Sequence, residues 1–333
     1  MVGAVREKAW DEVRVAAVIA LGAVLSLIFV GGLVRATGAG LGCPDWPRCW
    51  GSWVPPTSAE DIDLERINRD RIPEEFREVE DPRVFFNVRK MWIEYVNRLW
   101  GVATGYASIA LVFFAVWFRR EHPRVLWPAV WVLVLMLFQG WLGSRVVFSG
   151  LDQFVLTLHM ALAFGILALL VVVSHRAFAR RGGGGGGART TGAEKLRLRR
   201  WTMVLLAAVA VQVLVGTEVR SELDSVAREQ PELARGEWID EVGWADHVHR
   251  IFSWPVLVLA LVVWWRGRGF GGWVSRFGTL ALVFVFLQLV LGVSLAYFNL
   301  PPASQFLHLG FAACLFAAVQ AMWLRAGVSD SHT

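Results

Sequence analysis

The sequence predicts an all-α membrane protein of eight transmembrane helices, arranged as two tandem, pseudo-symmetric four-helix bundles with both termini in the cytoplasm. Three observations predict it. The 333 residues are 56% hydrophobic with a mean hydropathy of +0.49, more apolar than a soluble core requires. Eight runs of 19 to 23 residues are almost free of charge, each long enough to cross a hydrocarbon layer of about 30 Å as a helix. Finally, polar motifs at the ends of these runs recur about 150 residues later.

The first run, Val15–Val34, follows Arg6, Lys8 and Arg14 and has no small-residue cleavage site behind it, so it reads as a retained span. Residues 35–93 then balance nine basic against eleven acidic side chains. From Ile62 to Phe86 charge alternates with Ile, Leu and Phe, which predicts a short amphipathic helix on the outer surface, above a site. The second run, Leu99–Phe118, is opened by Glu94-Tyr95-Val96-Asn97-Arg98, and the third, Val125–Val147, carries Gln139 and Gly143. The fourth, Phe154–Ser174, carries His159. Six glycines, Gly182–Gly187, form a tether, since they have nothing to pack and much backbone entropy to lose.

The fifth run, Trp201–Val219, again holds a Gln-x-x-x-Gly, Gln212 and Gly216. The sixth, His247–Trp265, is opened by Asp246-His247-Val248-His249-Arg250, the counterpart of residues 94–98 at a distance of 152. The seventh, Phe277–Phe298, has Gln288 and Gly292, and the eighth, Gln305–Leu324, has His308, which lies 149 residues after His159. Gln139 precedes His159 by 20 residues and Gln288 precedes His308 by 20. Chance likeness of apolar helices would not keep that spacing.

Each half has an even number of spans, so the repeat is parallel. The expected organisation is residues 1–181 as the first four-helix half, including external loop 35–93, residues 182–200 as a cytoplasmic linker, and residues 201–333 as the second half. The connections after the second, fourth and sixth runs are rich in arginine and the others are not, which places the basic ones in the cytoplasm. The net charge of +5 thus reports topology in a cell membrane, and nucleic acid is excluded as the partner. Cys43 and Cys49 share the external loop, where a disulfide can form; a loop staple and a redox role both fit the pair.

Ionisable groups inside spans are costly and default to functional candidates. His159, His247, His249 and His308 all lie near the external ends of even-numbered helices. One imidazole from each of two facing helices, walled by apolar side chains, is what a haem iron takes. His249 and His308 supply such a pair. A zinc site would want more ligands than His247 adds. The repeat selects His249 over His247, because His249 occupies the Asn97 position and His247 that of Tyr95. Arg98 and Arg250 follow the ligand position at the membrane surface, where a guanidinium either pairs with haem propionates or snorkels to the interface. The first half is incomplete: His159 is present, but Asn97 is a poor iron ligand and leaves a coordination position open. Glu94, one turn before Asn97, either moves protons beside a substrate or serves as a salt-bridge partner of Arg98.

These residues resemble the haem A synthases of bacteria and mitochondria over nearly the whole chain. The stretch from Gly31 to Pro47, GGLVRATGAGLGCPDWP, is similar to that family's signature after its first helix, and residues 94–98 resemble its acidic-aromatic-x-His-Arg motif. The resemblance implies an oxidoreductase that converts the methyl group of haem O to the formyl group of haem A by successive hydroxylations. It implies a permanent haem b on His249 and His308, a substrate site for haem O around the candidate catalytic residues Glu94, Asn97 and His159, and a disulfide between Cys43 and Cys49. It also implies a haem O synthase as supplier, a separate electron donor and a lipid-accessible cleft. Asn97 departs from the histidine many members carry. A two-haem electron-transfer cytochrome b is the rival reading, and it predicts symmetric bis-histidine sites; a transporter predicts a polar path across the whole membrane.

Overall fold

In the computed structural model, which describes residues 2–120, 123–178 and 191–327, all eight apolar runs are helical. We label the long helices α1 (Val2–Ala36), α2 (Val88–Trp117), α3 (Pro123–Phe148), α4 (Gln153–Phe178), α5 (Gly192–Glu229), α6 (Trp244–Gly267), α7 (Gly272–Tyr297) and α8 (Pro302–Ala326). Among the described residues these give eight helices long and apolar enough to span a membrane, and the only extended pairing is the isolated bridge Cys49–Ser52. Large apolar side chains such as Ile19, Phe113, Trp131, Phe154, Trp265 and Phe286 are exposed along the helices. In water that would be a liability; against lipid it is the expected outer surface.

Several helices outrun their apolar cores because their ends are chemically fixed. Asn87 caps α2 by accepting from Lys90 N, so Glu94, Asn97 and Arg98 stand inside the helix, two to three turns from its start. Thr191 and Glu194 form a capping box, which starts α5 at Gly192, within the stretch read as linker. The glycine run 182–187, with His122 and His332, lies outside the described residues. α1 ends at Gly38, whose φ of 63° suits a residue without Cβ, while Ala39 N donates to Val34 O at 2.9 Å.

Packing divides the chain into Met1–Leu170 and Val171–Thr333. In the first unit α2 packs on α1 and α3. In the second, α5 packs on α6 and α8, and α7 on α6 and α8, closing four helices around a core that includes Leu205, Val209, Ala260, Val285, Val319 and Met322.

Loop 35–93 departs from the single amphipathic helix expected for Ile62–Phe86. Short 3-10 turns at Leu64–Arg66, Arg69–Arg71 and Pro82–Phe85 and one helical turn at Glu74–Arg77 replace it. Pro73 and Pro82 interrupt any longer helix, while Asp63, Asn68 and Asp81 each accept a backbone N–H two residues on. The apolar residues Ile62, Ile67, Ile72 and Phe76 instead point inward, onto Trp50, the two cysteines and Met91 of α2. The loop is a small folded cap with its own core. Arg83 beside Asp81 holds that carboxyl below its usual range.

Candidate functional site: a histidine pair and a capped carboxylate

The cap is fastened to α2 at the residues the sequence singles out. Cys43 and Cys49 are joined by a disulfide. Asp45, buried between them, accepts from Trp50 N at 2.6 Å and Gly51 N at 2.8 Å, and Trp50 Nε1 donates to Gly42 O at 2.8 Å. Gly42 lies flat on the first turn of α2, where a Cβ would come 2.5 Å from Lys90 O. Tyr95 donates to Trp53 O at 2.5 Å. Gly42, Cys43 and Asp45 of the signature segment, with Cys49 just beyond it, are therefore the parts of one tight turn laid against a helix.

Arg98 joins that turn to the buried acid. Its Nε donates to Glu94 Oε1 at 2.9 Å, Nη1 to Asp45 O at 2.7 Å and Arg48 O at 2.8 Å, and Nη2 to Cys43 O at 2.7 Å. Four acceptors share a guanidinium with five N–H donors. Glu94 is only 5% exposed, so this pairing balances its carboxylate in a low-dielectric setting. Sequence reading offered Arg98 for a propionate, for snorkelling to the interface or as the salt-bridge partner of Glu94; the structure makes that salt bridge and gives the other donors to the cap, a role to which the charge pattern gave no clue.

The corresponding pair in the second unit is more open. Arg250 Nε donates to Asp246 at 2.9 Å, and among the described residues its guanidinium makes no other hydrogen bond; its side chain is 42% exposed. Both Nη groups are free to meet an anion.

His249 and His308 come together. Their ring centroids are 6.2 Å apart with planes at 63°, and the Nδ1 atom of each is buried without a protein partner. Metal–imidazole nitrogen bonds are about 2.0 Å, and the ring centre lies about 1.1 Å behind the nitrogen, so two imidazoles on opposite sides of one iron have centroids about 6 Å apart. The pair fits a bis-histidine haem. His247 is exposed, with its Nδ1 3.4 Å from Gly243 O. Among the described residues no three His, Cys, Asp or Glu side chains converge as a metal set.

In the first unit His159 Nδ1 is likewise buried and unpartnered, with its ring against Gly143, where a Cβ would lie 3.4 Å from Cε1. Asn97 faces Gly31 of α1, whose Cβ would lie 3.9 Å from its Oδ1. No second histidine stands at that place on α2.

The glutamines have a function the sequence did not disclose. Gln139 Nε2 donates to His159 O at 3.0 Å, Gln212 to His249 O at 2.8 Å and Gln288 to His308 O at 2.7 Å. For Gln139 and Gln288 the shared 20-residue spacing was the available signal, and it reads as contact once the helices are seen side by side; Gln212 lies 37 residues before His249 and carried no such mark.

Comparison with known proteins agrees with this geometry. Residues 14–320 match the family described as cytochrome oxidase assembly protein, COX15-CtaA. The chain is 28% identical over 327 residues to the heme A synthase of Rhizorhabdus wittichii, covering 92% of this chain and 90% of that one. It is 30% identical over 316 residues to the heme A synthase of Dinoroseobacter shibae, covering 87% and 81%. With the heme A synthase of Shewanella oneidensis it shares 27% over 226 residues, 67% of this chain and 61% of that one. With eight spans, a histidine pair of haem geometry and a family match over nearly its full length, this chain belongs to the COX15-CtaA family of cytochrome oxidase assembly proteins.

Proposed function

We propose that this multi-pass membrane protein is a haem A synthase, an oxidoreductase that converts the methyl group of haem O to the formyl group of haem A. The observation that carries the reading is the His249–His308 pair at 6.2 Å beside a first unit that keeps His159 but has Asn97 in the matching place. One site is built to hold a haem permanently and the other to leave one face of a macrocycle accessible. A symmetric electron-transfer cytochrome b has no use for that difference.

In this reading His249 and His308 hold haem b, and Arg250 neutralises a propionate with its free Nη groups. When bound, haem b supplies one-electron transfer toward the substrate site. His159 on α4 would hold the iron of the substrate haem O, and Asn97 offers no second imidazole to it. Each oxidation of a methyl C–H bond to C–OH would consume dioxygen, two electrons from the donor and two protons, with the second oxygen atom leaving as water; Glu94, its carboxylate kept in place by Arg98, would relay those protons. Two such oxidations give the hydrate of an aldehyde, which loses water to the formyl group. The external cap covers the Glu94 end of α2 and limits water there. Both sites lie near the external face, the termini and the 182–200 linker are cytoplasmic, and the halves 1–181 and 201–333 each form a four-helix bundle. A haem O synthase supplies substrate through the membrane, and a separate donor supplies electrons.

The test is co-expression with a haem O synthase in a host that makes no haem A, followed by chromatography of extracted haem. Haem A is the expected product. Extracts containing only haem B and haem O would overturn the assignment.

A further inference from the structure

Each of the three histidines sits in the same two-part cradle, supplied by the odd-numbered helix beside it. A glutamine amide donates to the histidine's own carbonyl, at 3.0, 2.8 and 2.7 Å for Gln139, Gln212 and Gln288. One turn on, a glycine leaves room for the ring: a Cβ at Gly216 would lie 2.9 Å from His249 Cε1, at Gly143 3.4 Å from His159 Cε1, and at Gly292 3.9 Å from His308 Cε1. A helical carbonyl already accepts from the N–H four residues on, and the glutamine takes its second lone pair. Such a bond fixes how the helix is rotated about its axis at the residue that bears the ligand. The Oε1 atoms of Gln139 and Gln212 are buried without a protein partner, a cost in a membrane interior, so these amides are kept for their donor end.

The fourth helix pair has only half the cradle. Gly31 of α1 lies against Asn97, with a Cβ position 3.9 Å from Oδ1, but four residues before it stands Leu27 instead of glutamine. Histidine and glutamine are thus absent together from α1 and α2, while the glycine remains.

We propose that Gln139, Gln212 and Gln288 are positioning residues that orient the haem-ligating histidines by gripping their carbonyls, and that Leu27 together with Asn97 makes the α1–α2 pair the open side of the substrate site. This rests on the haem ligation described above. The grip acts through the backbone, so its loss turns the imidazole without removing it, and the electronic signature of the iron reports the turn. A second consequence concerns the open side: a histidine placed at 97 without a glutamine at 27 is a ligand on an ungripped helix.

The experiment uses the full-length protein purified in detergent. Gln212→Met and Gln288→Met match the native side chain in length and suit an apolar interior while lacking a donor; Thr217→Ala, beside Gly216 on α5, is the control. Electron paramagnetic resonance of the ferric protein reads imidazole orientation, and haem titration reads affinity. The glutamine variants are expected to shift the low-spin haem b signal and to weaken haem retention roughly tenfold, the usual effect of losing an outer partner of a metal-bound histidine, with the control unchanged. Gly216→Ala, which presses on the same ring with the glutamine intact, is expected to shift the same signal. In the second arm, Leu27→Gln/Asn97→His is expected to convert more of the substrate haem to a six-coordinate low-spin form than Asn97→His alone. Parent-like signals in both glutamine variants, or equal conversion in the single and double substitutions, would overturn the inference. A parent protein that holds no haem would overturn the ligation reading instead, which keeps the two failures distinct.

Discussion

Glu94 and Arg98 show how one salt bridge can serve two ends. The pair is nearly sealed, with side-chain exposures of 7% and 12% and a 2.9 Å contact, and Arg98 spends its remaining contacts on three carbonyls of the disulfide turn. Removing the cation leaves a buried carboxylate unbalanced and the turn untied, a loss of about 3 kcal/mol or more. Arg98→Ala is therefore expected to lower the thermal denaturation midpoint of the purified protein by several degrees; an unaltered midpoint would show that the cap holds without it. Glu94→Gln keeps the size and most of the hydrogen bonding of the native side chain. It should retain haem b and the fold, while haem A formation falls by roughly 10²- to 10⁴-fold, the range for losing a general acid or base. A variant forming haem A at the parent rate would leave Glu94 with a structural role alone. At this scale the sequence disclosed which residues matter, since intramembrane histidines and acids are rare, but not which partners they choose. Arg98 and Arg250 occupy equivalent places in the repeat, and only the structure shows one sealed under a cap and the other reaching outward.

The spans were legible as elements because lipid imposes a single simple rule on length and polarity, whereas the connections answer to local chemistry that periodicity does not report. The alternation from Ile62 to Phe86 looks helical on charge pattern, yet Pro73 and Pro82 and three short capping side chains divide it into single turns, whose apolar residues form a core with Trp50 and Met91. The same local chemistry lengthens α2 and α5 beyond their apolar runs. Among the signature glycines, Gly42 answers to the backbone of α2. Gly42→Ala would push a methyl group to 2.5 Å from Lys90 O, and separating cap from helix to relieve it costs about 1–3 kcal/mol. Loss of the Cys43–Cys49 bond, which closes a very short loop, costs about 2 kcal/mol. The two changes act on one turn, so the combined variant should lose less thermal stability than the separate losses added together. Full additivity would mean that the disulfide and the glycine support different parts of the cap.

Taken as a whole molecule, the chain repeats one plan and withholds part of it once. Three helix pairs carry a histidine, a glutamine and a glycine; the pair α1–α2 carries Asn97, Leu27 and Gly31. The repeat was visible in the sequence through its spacing, but the contacts behind that spacing were not, since a 20-residue interval across a helical hairpin becomes a hydrogen bond only when both helices are placed. The arginine-rich connections lead us to propose that the termini are cytoplasmic and the cap external. A cysteine placed at Ser58 in the cap should react with a membrane-impermeant thiol reagent in intact cells, and one placed at Thr191 only after permeabilisation; the reverse pattern would invert the protein. The central claim is that His249 and His308 share one haem, and spectroscopy of the purified protein tests it most directly. The account predicts a six-coordinate low-spin haem B in the parent that is lost in both His249→Ala and His308→Ala. A pigment-free parent, or variants that keep the parent spectrum, would contradict it.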